Sequence, residues 1–224
     1  MSSHHIVKDK QEPALLFANG ESCRVDIIHQ LLEWSPFVVV LDGAIDRVLE
    51  LGIKIDLFCG DFDSHSISLD NLRKVQYPID IIPTPDQDKT DLEKGLDILI
   101  ERGFPAVNVV WATGRRSDHF IANLSTVISY QNKIKITLLD NHGSIYPILP
   151  FPAVFKKWFT ANTNLSLIPF PVATEISTVN LRYPLKSEAL ALASRMGNSN
   201  RVIESGIVEV VYKTGNMLIM ECSD

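Results

Sequence analysis

The chain has 224 residues and a formal net charge of −6, with 46% hydrophobic and 21% charged residues. This composition excludes a largely disordered chain, and the length allows one large domain or two small ones. The acidic total argues against general binding to nucleic acid or to an anionic membrane, because both need a basic face.

The sequence also lacks the marks of membrane insertion or secretion. No apolar run approaches the roughly 20 residues of a membrane-spanning helix, and the first residues lack the hydrophobic core of a signal peptide. Cys23, Cys59 and Cys222 lie far apart and without the spacing of a metal site. We expect three separate, mostly buried thiols in a soluble cytoplasmic protein.

The first part of the chain alternates short β-rich runs with segments of helical spacing. Strands in alternation with helices imply crossover connections and a parallel sheet covered on both faces. Thr90 is expected to cap a helix that Gly103 closes, and Ser117 to cap a helix from Asp118 to about Tyr130. The predicted strands are Leu15–Ala18, Phe37–Leu41, Ile55–Cys59, Ile79–Ile82, Val107–Trp111 and Ile134–Leu139.

After about residue 143 the helical spacing fades and short strands follow one another, separated by turn residues at 183–184, 197–198 and 214–216. The charge changes at the same place, since residues 1–142 carry 14 basic and 21 acidic residues and residues 143–224 carry 7 and 6. We predict an α/β domain over 1–142 and an antiparallel sandwich or barrel over 143–224. The strands predicted in this part are Asn164–Pro169, Glu175–Leu181, Glu188–Ala193, Gly206–Tyr212 and Met217–Glu221.

Carboxylates follow two of the predicted parallel strands, at the edge where open α/β sheets bind ligands. Asp42 follows the second strand, and Asp61 and Asp63 follow the third. Residues two apart in an extended stretch project from one face, so Asp61 and Asp63 can share a cation such as Mg²⁺. For this pair alone, acidic residues that merely populate turns and cap helices remain the alternative.

Two further loops contain groups suited to phosphate. The segment with Gln87, Lys89, Thr90 and Asp91 opens a helix, whose first backbone N–H groups can hold phosphate oxygens. Gly114-Arg115-Arg116 follows a later strand, and an arginine can bind phosphate through two parallel hydrogen bonds. The four loops together predict metal-assisted nucleotide chemistry, although the common glycine-rich nucleotide motifs are absent.

Taken together, these motifs resemble those of the thiamine pyrophosphokinase family from about Val40 to the C-terminus. Two positions depart from the common pattern, because Ala44 and Arg115 stand where the family commonly has glycine. The matching segments are Asp42-Gly43 with a helix over Asp46–Gly52, Gly-Asp-Phe-Asp-Ser at 60–64, Asp-Gln-Asp-Lys-Thr-Asp at 86–91, Gly-Arg-Arg-Ser-Asp-His at 114–119 with Asn123, Leu-Arg-Tyr-Pro-Leu at 181–185 and Gly-Asn-Ser-Asn at 197–200.

The resemblance implies a Rossmann-like parallel-sheet domain followed by an all-β sandwich, in a homodimer with active sites at the subunit interface. It implies Mg²⁺-dependent transfer of pyrophosphate from ATP, the co-substrate, to the hydroxyl of thiamine, giving thiamine diphosphate and AMP. The resemblance also implies a role for each candidate residue. Asp61, Asp63 and Asp91 are expected to hold Mg²⁺, with Asp42 nearby, and Asp91 is the candidate acceptor of the alcohol proton. The polyphosphate is expected to be positioned by Gln87, Lys89, Thr90 and Arg116, and thiamine to be contacted by Asp118 and, from the partner subunit, by Ser199 and Asn200.

Two other functions are weighed against this one. A phosphatase of the haloacid-dehalogenase type also has Asp-x-Asp after a strand, but that strand lies near the start of its domain, whereas Asp61 follows a third strand. The loops at 86–91 and 114–119 would then be unexplained. The second alternative is a thiamine- or nucleotide-binding module without turnover, and the intact metal carboxylates argue against it.

Overall fold

The computed structural model describes residues 13–62, 66–149 and 153–223. The chain divides into two compact units, and it is a mixed α/β protein as the sequence predicts. Unit 1 comprises residues 1–115 with 133–135, and unit 2 comprises residues 116–132 with 136–224. The domain boundary between residues 142 and 143 stays a prediction. In the described ranges, no helix is long and apolar enough to cross a lipid bilayer.

The described part of unit 1 contains a parallel sheet with the strand order β4-β3-β2-β1-β5. Every residue of β1, β2 and β3 is buried, as expected for a parallel sheet covered on both faces. The strands are β1 (Ala14–Phe17), β2 (Val38–Leu41), β3 (Leu57–Gly60), β4 (Asp80–Pro83) and β5 (Ala106–Val110), and the helices are α1 (Val25–Leu32), a 3₁₀ turn (Asp42–Ala44), α2 (Ile45–Glu50), α3 (Leu69–Val75) and α4 (Asp91–Glu101). The predicted strands of this part are confirmed, with ends shifted by one or two residues.

The predicted ends of α4 are confirmed. The Thr90 hydroxyl accepts a hydrogen bond from the Glu93 N–H at 3.3 Å, and the Glu93 carboxylate accepts one from the Thr90 N–H at 2.8 Å. These reciprocal bonds satisfy donors that a helix start otherwise leaves unpaired. At the other end Gly103 has a φ of +77°, a conformation that glycine adopts at little cost.

The capping role predicted for Ser117 is wrong. Helix α5 (Ser117–Tyr130) includes Ser117 as its first residue, and Arg116 occupies the capping position without a side-chain hydrogen bond to the helix. Arg116 is extended, with φ −82° and ψ 115°, so the helical conformation begins one residue before the predicted start. Asp118 then falls in the first turn, where a carboxylate suits the helix dipole.

Unit 2 contains α5 and an antiparallel arrangement of strands in the order β6-β7-β13-β9-β12-β8, with β10 and β11 also paired to β9. Strand β6 starts with the last residue assigned to unit 1. A separate hydrophobic core fills this unit, including Leu167, Ile176, Val208 and Ile219. The strands are β6 (Lys135–Asp140), β7 (Gly143–Ile148), β8 (Val154–Phe159), β9 (Asn164–Val179), β10 (Lys186–Ala191), β11 (Gly197–Arg201), β12 (Gly206–Val211) and β13 (Thr214–Cys222).

Three features of unit 2 correct the prediction. Strand β9 is one strand of 16 residues where two were predicted, and β7, β8 and β11 were not predicted. The residues expected to form turns at 197–198 and 214–216 are instead the first residues of β11 and β13. In both strands the pairing register shifts beside the glycine, and Gly215 has a φ of +93°. Glycine here marks a bulge within a strand, a signal that resembles a turn in the sequence.

Candidate active site

The carboxyl edge of the unit 1 sheet brings Asp42 against the end of β3. Asp42 follows β2 and is only 2% exposed. A Cβ added to Gly60 would lie less than 3.0 Å from the Asp42 Cβ, so only glycine permits this approach. The Gly60 carbonyl also accepts a hydrogen bond from the Thr84 N–H at 2.8 Å. The loop that leads to α4 is therefore attached to the same edge, beside the exposed residue Asp61.

The buried thiol of Cys59 is influenced by carboxylates from two loops. Burial first, and then the charges of Asp91 and Asp42, raise the pKa of Cys59 to about 12. Lys94 acts in the opposite direction on the same pKa. The pKa of Cys59 therefore responds to charges on two loops whose carboxylates are 49 positions apart in the sequence.

Sequence reasoning missed Lys94, a buried lysine in this acidic region. Its side chain is 6% exposed, and its Nζ lies 3.2 Å from Oδ1 of Asp91. A charged group at such a depth needs an opposite charge beside it. The signal was present in the sequence, because residues three apart share one face of a helix. The ammonium group partly neutralises the carboxylates and fixes the orientation of Asp91.

The remaining polar side chains of the loop before α4 make contacts within the loop and the helix. Lys89 Nζ lies 2.7 Å from Oδ2 of Asp97, and both the Lys89 and Thr90 side chains are exposed. The Thr90 hydroxyl takes part in the helix cap, and Gln87 Nε2 donates to the Pro85 carbonyl at 3.5 Å. These three residues therefore line the accessible side of the loop at the start of α4.

Arg47 is a second residue that sequence reasoning missed at the carboxyl edge. Its Nη1 donates to the carbonyl of Gly20 at 3.0 Å and to Oγ of Ser22 at 2.9 Å, and its Nη2 donates to Oδ1 of Asn19 at 3.0 Å. The guanidinium lies over the ring of Trp111, 4.4 Å from the ring centre. These partners are distant in sequence, so no local pattern indicates them.

The predicted metal ligands are only partly described by the structure. Asp63 lies outside the described residues, while Asp61 is exposed and the Asp91 side chain is 51% exposed. Among the described side chains, no group of three or more His, Cys, Asp or Glu could hold a metal ion. The set Asp61, Asp63 and Asp91 therefore stays a prediction.

In unit 2 the predicted residues Arg116 and Asp118 form an ion pair with each other. Arg116 Nη2 lies 2.6 Å and Nε 3.2 Å from the two carboxylate oxygens of Asp118. The hydrogen bond from Arg116 lowers the pKa of Asp118 to about 2. The pair is exposed, so it contributes little to stability, and both side chains remain accessible to a ligand.

Asn200 and Ser199 occupy different environments on β11. Asn200 is 4% exposed, its Oδ1 accepts from the Tyr183 N–H at 3.0 Å and its Nδ2 donates to the Tyr183 carbonyl at 2.8 Å. This amide therefore holds the 181–185 segment against β11. Ser199 is exposed, has a φ of 55°, and donates its N–H to Oγ of Ser166 at 3.0 Å. Contact of either residue with thiamine stays a prediction.

Comparisons with known proteins agree over both parts of the chain. Residues 28–138 match the model of the thiamin pyrophosphokinase catalytic domain, and residues 154–217 match that of the thiamin pyrophosphokinase vitamin B1 binding domain. The thiamine pyrophosphokinase of Bacillus subtilis is 30% identical over 173 residues, 74% of this chain and 78% of that protein. Thiamin pyrophosphokinase 1 of Caenorhabditis elegans is 24% identical over 227 residues, which cover 96% of this chain and 90% of that protein.

Solved structures share the fold. The crystal structure of thiamine pyrophosphokinase from Bacillus subtilis has a TM-score of 0.77 at 23% identity and covers 95% of this chain and 100% of that one. Thiamin pyrophosphokinase from Candida albicans has a TM-score of 0.79 at 15% identity, with coverage of 95% and 89%. The fold and the two matched domains define an enzyme, a kinase among the transferases. The chain belongs to the thiamin pyrophosphokinase family, which confirms the resemblance read from its motifs.

Proposed function

We propose that this chain catalyses Mg²⁺-dependent transfer of pyrophosphate from ATP to the hydroxyl of thiamine, with thiamine diphosphate and AMP as products. The observation that carries the proposal is the packing of the buried Asp42 against Gly60 at the end of β3, inside the segment that matches the family's catalytic domain. Carboxylates from separate loops at the carboxyl edge of a parallel sheet suit metal-assisted phosphate chemistry.

The donor chemistry fits a magnesium ion. Asp61 and Asp91 offer accessible carboxylate oxygens at one edge, and oxygen ligands are those that Mg²⁺ prefers. We assign Asp61, Asp63 and Asp91 as its ligands, with Asp42 as a nearby buried charge. When bound, Mg²⁺ supplies positive charge that shields the phosphate oxygens and stabilises the transferring group.

The protein's own groups position the reactants. The N–H groups of the first turn of α4 other than the capped Glu93 N–H favour phosphate oxygens, and Lys89 binds phosphate in place of Asp97. Gln87, Thr90 and Arg116 complete the contacts to the polyphosphate. Asp91 is also the assigned acceptor of the thiamine hydroxyl proton.

Thiamine is assigned to carboxylate and polar groups of the second half of the chain. Asp118 attracts the cationic thiazolium ring, and Ser199 and Asn200 contact thiamine from the partner subunit of a cytoplasmic homodimer. Asn200 acts in part through Tyr183, which its amide holds in place. The match of residues 154–217 to a vitamin B1 binding domain supports this division of roles.

We also propose the finer fold assignment, a Rossmann-like domain over 1–142 and a β-sandwich over 143–224. Support comes from the parallel sheet with strand order β4-β3-β2-β1-β5 and from the antiparallel pairing among the strands β7 through β13. The two family matches also divide the chain, since the first ends at residue 138 and the second begins at residue 154.

The nucleotide product tests the reaction. Purified protein with Mg²⁺-ATP and thiamine is expected to form AMP and thiamine diphosphate in equal amounts. ADP as the product would refute pyrophosphoryl transfer, and phosphate release without thiamine would favour the phosphatase. Asp61→Asn should abolish Mg²⁺-dependent turnover without lowering the melting temperature, whereas Asp70→Asn, an exposed carboxylate on α3, should leave turnover unchanged.

A mixing experiment tests the shared site. Inactive Asp61→Asn and Ser199→Ala chains are combined under conditions that allow subunit exchange. Recovery of part of the activity is expected if each site uses both subunits, because one site of the mixed dimer is intact. No recovery after confirmed exchange would refute the interface location.

A further inference from the structure

Two arginines of unit 1 converge on one neutral side chain. Arg47 Nη2 and Arg115 Nη1 both donate to Oδ1 of Asn19, at 3.0 Å and 3.2 Å, and Arg115 Nη1 also lies 3.2 Å from the Asn19 carbonyl. The Asn19 amide packs closely against Gly43, where a Cβ would lie less than 3.0 Å from its Nδ2. The carboxamide thus fixes two guanidinium groups close together.

This pair has no acidic partner within the described ranges, where no carboxylate oxygen lies within 4.0 Å of either guanidinium. Burial and then the charge of Arg115 lower the pKa of Arg47. Glu21 packs beside Gly114 but forms no ion pair with either arginine. Elsewhere in the described chain, arginines commonly pair with carboxylates, as Arg24, Arg73, Arg102, Arg116 and Arg195 do. Two adjacent positive charges without a carboxylate form a site that an anion would stabilise.

Arg47 offers such an anion a fixed positive charge, because its Nη1 and Nη2 groups already donate to Gly20, Ser22 and Asn19, while Arg115 offers the donors. Arg47 is fixed by Gly20, Ser22 and the ring of Trp111, which is itself 1% exposed. Arg115 is exposed, and its Nε and Nη2 groups make no hydrogen bond to any described residue. A guanidinium with two free donor groups has the geometry for two parallel bonds to phosphate oxygens.

The place in the sheet favours a nucleotide. The chain adds β2, β3 and β4 in turn on one side of β1 and then places β5 on the other side, so the strand order reverses between β1 and β5. Asn19 follows β1 and Arg115 follows β5, so the pair flanks the crevice where parallel sheets bind nucleotides.

We propose that Arg47 and Arg115 form a binding site for the phosphate group of a nucleotide, at the crevice between the loops after β1 and β5. The identity of the ligand as a nucleotide rests on the proposed function, whereas the binding of a phosphate group does not.

Fluorescence of Trp111 provides a direct readout of binding. Trp34 and Trp158 are 69% and 60% exposed, so Trp34→Phe with Trp158→Phe should leave the fold intact and Trp111 as the sole indole. AMP, pyrophosphate and thiamine diphosphate are titrated separately at low ionic strength, without Mg²⁺ or thiamine. We expect a saturable change with AMP because the Arg47 guanidinium covers the indole ring.

Substitutions in this background test the two arginines. Arg115→Gln should weaken AMP binding about tenfold, equivalent to about 1.4 kcal/mol, and Arg115→Lys should restore only part of it. Arg73→Gln, which removes an exposed charge on α3, is the matched control and should leave affinity unchanged. Equal effects of Arg115→Gln and Arg73→Gln would overturn the site. Binding of pyrophosphate or thiamine diphosphate but not AMP would overturn the nucleotide assignment. Arg115-dependent binding of AMP in a protein that forms no AMP from ATP and thiamine would support the site and refute the reaction.

Discussion

Substitution of Gly60 by alanine tests whether the approach of β3 to Asp42 stabilises the protein. The added Cβ would lie less than 3.0 Å from the Asp42 Cβ, 3.1 Å from its Cγ and 3.2 Å from its Cα. All three distances are shorter than the 3.4 Å at which ordinary contact begins, so β3 and the loop after β2 must separate. Asp42 is buried, so its displacement must disturb packed structure. Overpacking of this kind costs about 1–3 kcal/mol, and we expect about 2 kcal/mol.

Thermal unfolding measures this cost. For a chain of this size, about 2 kcal/mol lowers the melting temperature by about 4–8 °C. The matched control is Gly206→Ala, where the nearest atom lies 3.8 Å away and the shift should stay within about 2 °C. Turnover of Gly60→Ala should also fall because Asp42 is displaced. A Gly60→Ala shift no larger than that of Gly206→Ala would refute the steric reasoning.

Three further predictions concern a helix cap, an ion pair and the thiols. Thr90→Val should lower the free energy of unfolding by about 1 kcal/mol in urea titrations, because it removes the hydroxyl that caps α4. Thr90→Ser should retain the cap, so equal stability of the valine and serine variants would contradict the capping role. The lowered pKa of Asp118 contributes stability that is present above about pH 4 and is lost as the pH falls toward 2. Arg116→Gln should raise the titration midpoint of Asp118 from about 2 toward 3.8, measured by carbon-13 NMR. An unchanged midpoint would disprove the ion pair. At pH 8 only the exposed Cys222 should react rapidly with an aromatic disulfide reagent, because Cys59 is buried and its pKa is raised to about 12. Rapid reaction of a second thiol would argue against that burial.

The parallel sheet could be predicted because its strands are short, apolar and bounded by helical patterns. Val38–Leu41 is buried along its whole length, and such a run is visible without knowledge of its neighbours. The strands of the antiparallel unit were harder to predict, because Gly215 and Gly197 mark register shifts within strands. In the sequence, a glycine at a bulge cannot be distinguished from a glycine in a turn. Pairing with distant strands, rather than local preference, decides which occurs.

The candidate site shows the same limit. The place of Asp42 could be predicted because it directly follows β2, and the carboxyl ends of parallel strands share an edge. Lys94 carries only a weak local signal, the spacing from Asp91. Arg47 carries none, because it contacts residues from the loop after β1 and the ring of Trp111, and those contacts exist only after the sheet forms.

Strand β13 (Thr214–Cys222) lies between β7 and β9 and pairs with both along most of its length. Proteolytic trimming of these residues would remove an interior strand rather than a peripheral tail. The gap would expose two unpaired strand borders together with the core face that Met217 and Ile219 now cover. Exposed strand borders next to apolar surface recruit other chains, so even limited clipping before Thr214 would convert a folded unit into a seed for aggregation.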